Sequence, residues 1–502
     1  MSKSISRRKF LGNAATAAAG ITIVPSVVMG KKFGYTAPSD KLNIAGIGVG
    51  GMGNANLKNL KSQNIVALCD VDWGYCKQNG LFETYPGAKW YWDWRKMYDE
   101  MGKSIDAVVI ATADHSHAVT AANAIAMGKH VYLQKPLTHT VYESRLLTKL
   151  AAKHQVATQM GNQGASGEGV NLTCEWIWNG EIGDIKKVEA FTDRPIWPQG
   201  LNRPEKGEWV PETLNWDLFI GPARMRPYNS IYHPWNWRGW WDFGTGALGD
   251  MACHILHPVF KSLKLKYPTK VQASSTLLLT DCAPNAQMVK LTYPMRAKDK
   301  ADKSVKINFP EVEVIWYDGG LKPAMPAGWP AGKDMNDQGG GVIFHGTKDT
   351  LICGCYGVNP WLLSGRVPNA PKTERRVEKP AEGGPHEMDW VRACKESPES
   401  RIKPKSDFSE AGPFNEMVVM GVLAVRLQGL NKELTWNGES MEFTNLKDEE
   451  KVKTVIADGF RIHDGHPTFN KTWSDPVSAK QFAAELIKHT YRDGYTLPQM
   501  PA

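Results

Sequence analysis

Cysteine is scarce, with 8 in 502 residues. The thiols stand at positions 69, 76, 174, 253, 282, 353, 355 and 394, too sparse for a disulfide framework in a chain of this size. Cys353-Gly354-Cys355 lacks the spacing of a metal clip, and no second pair completes one. Cys69 and Cys253 lie in apolar runs and read as buried thiols. No segment approaches the ~18 consecutive apolar residues of a membrane span, so no stable span is expected. No internal repeat at a fixed period is present. Acidic residues are absent from residues 1–33, which hold Lys3, Arg7, Arg8, Lys9, Lys31 and Lys32. Setting those six aside from the 60 basic residues leaves 54 against 52 acidic ones. A body so near neutrality gives no electrostatic case for a nucleic-acid partner. With 42% hydrophobic and 22% charged residues, disorder, collagen and coiled coil are excluded, and the length suggests two large domains or about three smaller ones.

Residues 4–12 read SISRRKFLG, followed by an Ala-rich stretch and Ile21–Val24. The paired arginines ahead of a modest apolar region point to a twin-arginine export signal over 1–33. Gly12, Asn13, Thr16, Gly20 and Pro25 interrupt that region and make it a poor spanning helix. A periplasmic or otherwise exported location is therefore expected.

From Lys41, short apolar runs alternate with helical patterns. Asn43–Ile47, Ile65–Cys69, Ala107–Ala111, His130–Leu133 and Val156–Met160 read as buried strands. Asn54–Ser62, Tyr91–Met101, Ala118–Met127 and Val141–His154 read as helices between them. That alternation predicts a parallel sheet with helices on both faces over 41–160. After Gly161 the texture changes. A helix (Val170–Asn179), a strand (Ile185–Thr192) and a Trp-, Pro- and Gly-rich segment precede a helix over Leu248–Leu263. Strands then follow in succession at Lys270–Leu278, Met288–Tyr293, Val312–Tyr317, Gly341–Gly346 and Asp349–Cys355. This is the pattern of an antiparallel sheet in an α+β domain over 161–436. Helices return at His386–Lys395, Phe414–Leu427 and Ser478–Thr490, and the tail 437–502 has no evident packing partner.

Residues 41–53 read KLNIAGIGVGGMG. Gly48, Gly50 and Gly53 fit G-x-G-x-x-G between a strand and a helix. The first makes the turn, the second admits a pyrophosphate and the third lets helix and strand pack; Gly51 and Met52 complete the loop. The helix N-terminus then offers free N–H groups to the anion. Asp70 ends the second strand, where an acid grips ribose hydroxyls and repels a 2′-phosphate. The combination points to NAD rather than NADP.

Three further stretches, IATADHSHA (110–118), GKHVYLQKPL (128–137) and GNQG (161–164), precede GALGDMACHILHP at 246–258. Together with the glycine loop, and in this order, they resemble the Gfo/Idh/MocA oxidoreductases, the family of glucose–fructose oxidoreductase and inositol dehydrogenase. The resemblance implies a Rossmann domain followed by a domain with an open, mostly antiparallel sheet, and homo-oligomers occur among relatives. It implies that Lys135 holds the reacting oxygen beside the nicotinamide, that Thr112 with its neighbours Asp114 and His117, and Gln134 with Lys135, lie at the cofactor, and that His117 also shapes its loop. The family's Glu-Lys-Pro stands here as Gln134-Lys135-Pro136, so the acid beside the lysine has become an amide.

Asp250 and His254 are spaced i, i+4 and share a helix face. They match the family's acid–histidine pair. An imidazole can take and return an alcohol proton, which makes His254 the candidate base and Asp250 a group that orients the hydroxyl or sets the charge of the site. Residues 176–241 hold nine of the 19 tryptophans. In YHPWNWRGWWDFG (232–244), Tyr232, His233, Trp237 and Arg238 can stack on and hydrogen-bond a sugar; a packing layer or subunit contact is the alternative. Asn162 and Gln163 either meet the sugar or the nicotinamide ribose, or fix their loop. A zinc site from His115, His117, His233 and Asp250 is conceivable, but nothing in their spacing supports it, and no metal is expected.

The leading expectation is an exported NAD-dependent oxidoreductase acting on a hydroxyl of a sugar or glycoside, with its cofactor held tightly because no nicotinamide pool is expected outside the cytoplasm. An NAD-dependent glycosidase that oxidises transiently and then eliminates is the enzymatic alternative. A non-catalytic sugar-binding protein, favoured by Gln134 alone, is the other.

Overall fold

The computed structural model describes residues 40–373, 375 and 382–501; the arginine pair and the rest of the N-terminal segment lie outside them. Six parallel strands form the first sheet: β1 (Asn43–Ile47), β2 (Asn64–Cys69), β3 (Lys89–Tyr91), β4 (Ala107–Ile110), β5 (His130–Leu133) and β6 (Thr158–Met160). Their order is β3-β2-β1-β4-β5-β6, so the chain reverses direction across the sheet beside β1. The runs IAGI, AVVI and VYL are buried without alternation, as a sheet covered on both faces requires. The helix Val141–His154 begins with a capping box between Thr140 and Glu143.

The expected helix over Tyr91–Met101 is corrected. Lys89–Tyr91 is an edge strand, and the helix starts at Trp94, where the Asp93 side chain accepts the N–H of Arg95. The expected helix over Leu248–Leu263 divides into Gly246–Ile255 and His257–Ser262, with Pro258 in the first turn of the second. Proline has no N–H to continue the first helix.

The second sheet has nine strands: β7 (Ile185–Thr192), β8 (Lys270–Ser275), β9 (Gln287–Tyr293), β10 (Val312–Tyr317), β11 (Gly340–Gly346), β12 (Thr350–Gly354), β13 (Trp361–Leu362), β14 (Leu434–Asn437) and β15 (Glu442–Phe443). All neighbours are antiparallel except β7 and β10. The helix Phe408–Arg426 is buried over most of its length and joins the two halves. Glu416 on it accepts two hydrogen bonds from Arg145 at 2.8 Å. One continuous apolar core runs from Ile47 and Leu133 through Phe414 to Val188 and Trp316.

The tail after Asn437 adds β15 and then an exposed hairpin, Val455–His463 with His466–Trp473. Its turn, Asp464-Gly465, has positive φ at both residues, the signature of the tight turn that Asp-Gly favours. After the helix Ala479–Ile487 the chain returns to the first domain, where Tyr491 Oη donates to Glu143 Oε1 at 2.5 Å.

All eight cysteines are buried and unpaired. Among the described residues no helix is long and apolar enough to cross a membrane. His115, His117, His139, His254, His257 and His386 are buried, and burial lowers the pKa of each, to about 4 for His117 and about 3 for His254. These rings stay neutral in the fold but take a proton near 6.5 once unfolded. The unfolded state therefore binds more protons as pH falls below 6.5, and stability drops with it. His117 and His254 cost about 2 kcal/mol each by pH 5. Asp114 and Asp318, both raised by burial to about 7, act in the opposite sense and offset a similar amount. His130 and His489, lowered by burial to about 4 and about 3, add to the histidine side and tip the balance. Calorimetry is expected to show a lower Tm at pH 5 than at pH 7; a constant Tm would contradict this.

Candidate active site

The carboxyl edge of the first sheet and the helix Gly246–Ile255 enclose a cleft of about 420 Å³. Gly48, at the end of β1, has φ +75°, and a Cβ there would lie 2.6 Å from the backbone of Ala111 and Thr112. At Gly53 a Cβ would meet the Gly48 carbonyl oxygen at 2.2 Å, and at Gly50 the Tyr75 ring at 2.5 Å. The turn is thus pressed against β4 and the start of the helix Met52–Asn59, as a close pyrophosphate cradle requires. That helix has no acid in its first turn to compete with an anion. Gly48, Gly50, Gly51 and Met52 all line the cleft; Gly53 is buried behind it.

Asp70 lines the cleft and accepts the N–H of Gly50 at 3.0 Å and of Asp72 at 2.9 Å. Burial raises its carboxyl pKa. It therefore braces the glycine turn as well as facing the ligand space. Beyond β4, Thr112 and Ser116 line the cleft, with Ser116 Oγ donating to Thr112 Oγ1 at 2.9 Å.

Asp114 and His117 do not line the cleft, which corrects the expectation of direct cofactor contact. Asp114 is buried and accepts from Thr245 N at 3.1 Å and Oγ1 at 2.7 Å, tying the two domains together. The His117 ring nitrogens lie 2.8 and 3.1 Å from the carbonyl oxygens of Pro136 and Thr112. His117 thereby locks the loops after β4 and β5.

Gln134 and Lys135 follow β5. The Gln134 amide donates to Asn56 Oδ1 at 2.9 Å, and Asn56 donates to Glu387 Oε1 at 2.9 Å. Glu387 is buried. A carboxylate at 134 would stand one side chain away from a second buried acid, and like charges so placed penalise ionisation of both. An amide can donate where an acid could only accept, so this chain's own packing accounts for Gln134.

Lys135 Nζ donates to Asp250 Oδ1 at 2.6 Å and to the Asp250 carbonyl at 3.1 Å. Arg238 Nε donates to the same carboxylate oxygen at 3.3 Å. The guanidinium stacks 4.0 Å from the Trp235 ring centroid and 4.3 Å from that of Trp237. Burial pushes the Asp250 carboxyl up, but Lys135 and Arg238 outweigh it and hold the pKa well below the usual range. His254 lies one turn along the same helix. Burial, reinforced by Lys135, lowers its pKa to about 3, so it is neutral at physiological pH. Its Nδ1 is buried with no hydrogen-bond partner among the described residues. Tyr356 packs on the ring at 4.6 Å between centroids.

Trp237 and Arg238 stand at this end of the cleft. His233 lines the other end and bonds Asp72 Oδ2 at 2.9 Å, beside Asp70 rather than beside Lys135. Tyr232 is 2% exposed and does not line the cleft. Its ring packs edge-on against Trp240 at 4.8 Å and Phe243 at 5.6 Å. The expected sugar contact at Tyr232 is a packing contact, and His233 stands at the β2 end, away from the sugar site expected beside Lys135. Asn162 is buried with both amide atoms unpartnered among the described residues and does not line the cleft, so the expected ligand contact falls instead to its neighbour Gln163, which does. The four candidate zinc ligands are separately engaged: His115 with the Phe219 and Ile220 carbonyls, His117, His233 and Asp250 as described. Among the described residues no group of three His, Cys, Asp or Glu is placed to hold a metal.

The sequence reading missed Trp94, Arg194, Trp235, Gln338, Tyr356 and Tyr495, all of which line the cleft. Trp235 lies within the Trp-rich run. Tyr356 and Tyr495 come from distant segments and carry no local signal.

Residues 42–162 match the model for the NAD-binding Rossmann fold of the Gfo/Idh/MocA oxidoreductases, and residues 183–298 match the model for their C-terminal alpha/beta domain. A levoglucosan dehydrogenase from Pseudarthrobacter phenanthrenivorans is 29% identical over 164 residues, 33% of this chain and 34% of the relative. A glycosyl hydrolase family 109 protein from Shewanella pealeana is 27% identical over 227 residues, 41% of this chain and 50% of the relative. The chain thus spans between a third and a half of the length of these curated relatives. The crystal structure of the WlbA dehydrogenase from Chromobacterium violaceum, a complex with NADH and UDP-GlcNAcA, superposes with a TM-score of 0.52 at 16% identity, covering 79% of this chain and 96% of that one. With a glycine-turn Rossmann half, a nine-stranded second half and both family models matched in order, the chain carries the two domain types of the Gfo/Idh/MocA oxidoreductases over residues 42–162 and 183–298.

Proposed function

We propose that the protein is an exported oxidoreductase that uses NAD to oxidise a hydroxyl of a sugar or glycoside and holds its cofactor through turnover. The observation that carries this reading is one cleft lined at once by the glycine turn and by Lys135, Asp250 and His254. The turn and the helix Met52–Asn59 suit a pyrophosphate, and the unpartnered Nδ1 of His254, a residue that lines the cleft, suits a site completed by ligand. When bound, the cofactor supplies the hydride-accepting carbon of its nicotinamide ring. Lys135 donates a hydrogen bond to the substrate oxygen. Asp250 keeps that ammonium aimed. His254, neutral and buried, accepts the hydroxyl proton as it leaves. Trp235, Trp237 and Arg238 offer a flat apolar face with N–H donors at its edge, which matches a sugar ring. The levoglucosan dehydrogenase relative and the nucleotide-sugar complex of the WlbA dehydrogenase support the substrate class. Export rests on Arg7-Arg8 and the apolar stretch behind them.

The glycosyl hydrolase family 109 relative favours a second reading, in which the same groups oxidise a glycoside transiently and eliminate its aglycone. Product analysis separates the two. Incubation with a panel of free sugars and aryl glycosides is expected to yield a keto sugar with reduced nicotinamide, limited to one turnover per chain unless a second carbonyl acceptor is added. Aglycone release without net redox change would select the glycosidase. Binding with neither product would overturn both readings.

A further inference from the structure

We propose that the C-terminal segment 488–501 forms part of the adenosine pocket, with Tyr495 as its adenine-facing wall, so that the tail of the chain fastens the dinucleotide in place. This rests on reading the cleft as the dinucleotide site. The cleft follows the carboxyl edge of the sheet in spatial order. Trp92 and Trp94 stand beyond β3, Asp70 beyond β2, Gly48 and Gly50 beyond β1, Thr112 beyond β4 and Lys135 beyond β5. A pyrophosphate over the β1 turn must send one nucleoside each way. The reactive half belongs with Lys135 and His254, so the adenosine lies over β2 and β3.

Tyr495 is part of the cleft wall and only 8% exposed. Its ring lies between two guanidinium groups, 4.7 Å from that of Arg95 and 5.6 Å from that of Arg492. Arg95 follows β3 and is itself held by Asp93 through a fork of hydrogen bonds at 2.8–3.1 Å; its Nη1 reaches the Gly494 carbonyl at 3.3 Å. Arg492 binds the opposite wall, the helix Trp216–Ile220 and the turn after it. It donates to Asp217 Oδ1 at 2.6 Å and to the Gly221 carbonyl at 3.0 Å, and its own N–H reaches the Pro222 carbonyl at 3.0 Å. The segment is therefore tied to both walls of one end of the cleft. An aromatic ring held by two cations, in a cleft also lined by Trp92 and Trp94, is an apolar wall for a purine, and its attachment to both walls opposes their separation.

The test uses the full chain freed of nucleotide, with ADP-ribose, which carries the adenosine and pyrophosphate, and nicotinamide mononucleotide, which lacks the adenosine. Tyr495→Ala is expected to weaken ADP-ribose binding at least 10-fold and to speed NAD release by a similar factor, while affinity for the mononucleotide moves less than twofold. Tyr495→Phe, which keeps the ring, is expected to retain slow release. If Tyr495→Ala does not fold, Arg492→Gln loosens the same segment and is expected to shift ADP-ribose in the same direction. Unchanged ADP-ribose affinity in a folded variant would overturn the proposal, as would equal weakening of both probes. Failure of the unsubstituted protein to bind either probe would instead overturn the reading of the cleft.

Discussion

Replacing Lys135 by alanine is expected to lower kcat for sugar oxidation by about 10³–10⁴-fold while the protein still binds its dinucleotide. Nζ is the hydrogen-bond donor nearest the reacting oxygen in the proposed chemistry, and among the described residues no other ammonium group lines the cleft. Its contact with Asp250 at 2.6 Å holds it where charge develops as the hydroxyl proton departs. Removal does not strand Asp250 as a lone buried charge, because Arg238 remains bonded to it. The contacts expected of the pyrophosphate and adenosine, at Gly48, Gly50 and Asp70, are untouched. Steady-state rates together with nucleotide analysis of the same preparation check both halves. A variant retaining more than a tenth of the wild-type kcat would remove Lys135 from the chemistry.

His254→Ala is expected to cost about 10²–10⁴-fold in kcat, the range of positioned acid–base groups. The pH profile of the unsubstituted enzyme gives the sharper test. With its pKa lowered by burial and by Lys135 to about 3, the imidazole stays available as a proton acceptor throughout the physiological range. The acid limb of kcat/KM is therefore expected below pH 5, rather than near the 6.5 of a solvated histidine. The profile must be recorded where the protein remains folded, since acid also destabilises the fold. A limb near pH 6.5 that disappears in His254→Ala would show that the ring is far less buried in the working enzyme. A full rate in His254→Ala would assign the proton to another group.

The parts of the site that were legible in the sequence are those whose spacing is set by local geometry. Gly48, Gly50 and Gly53 sit between a strand and a helix because the turn needs a positive φ and two close backbone approaches. Asp250 and His254 were found because a helix places i and i+4 on one face. Beyond local spacing, the reading weakened. In the irregular run 232–244 no period assigns side chains to a face, so Tyr232, packed under Trp240, could not be told from Trp237, which lines the cleft. His233 faces Asp72 because a distant loop folds back over β2, a tertiary contact that the neighbouring residues do not announce. The strand Lys89–Tyr91 is three residues long with no apolar run, and propensity alone favoured continuing the helix. The hairpin at 455–473 did carry a signal, in Asp464-Gly465, that went unread. Tyr356 and Tyr495 reach the cleft from the end of the second sheet and from the tail, and only the assembled fold brings them there.

The most direct test is to heat-denature the freshly purified protein and identify what it releases. About one NAD or NADH per chain is expected, with no NADP, because the dinucleotide lies across the glycine turn and Asp70 stands against a 2′-phosphate. A preparation that releases no nucleotide, and that binds none when NAD is added back to the folded chain, would contradict the account.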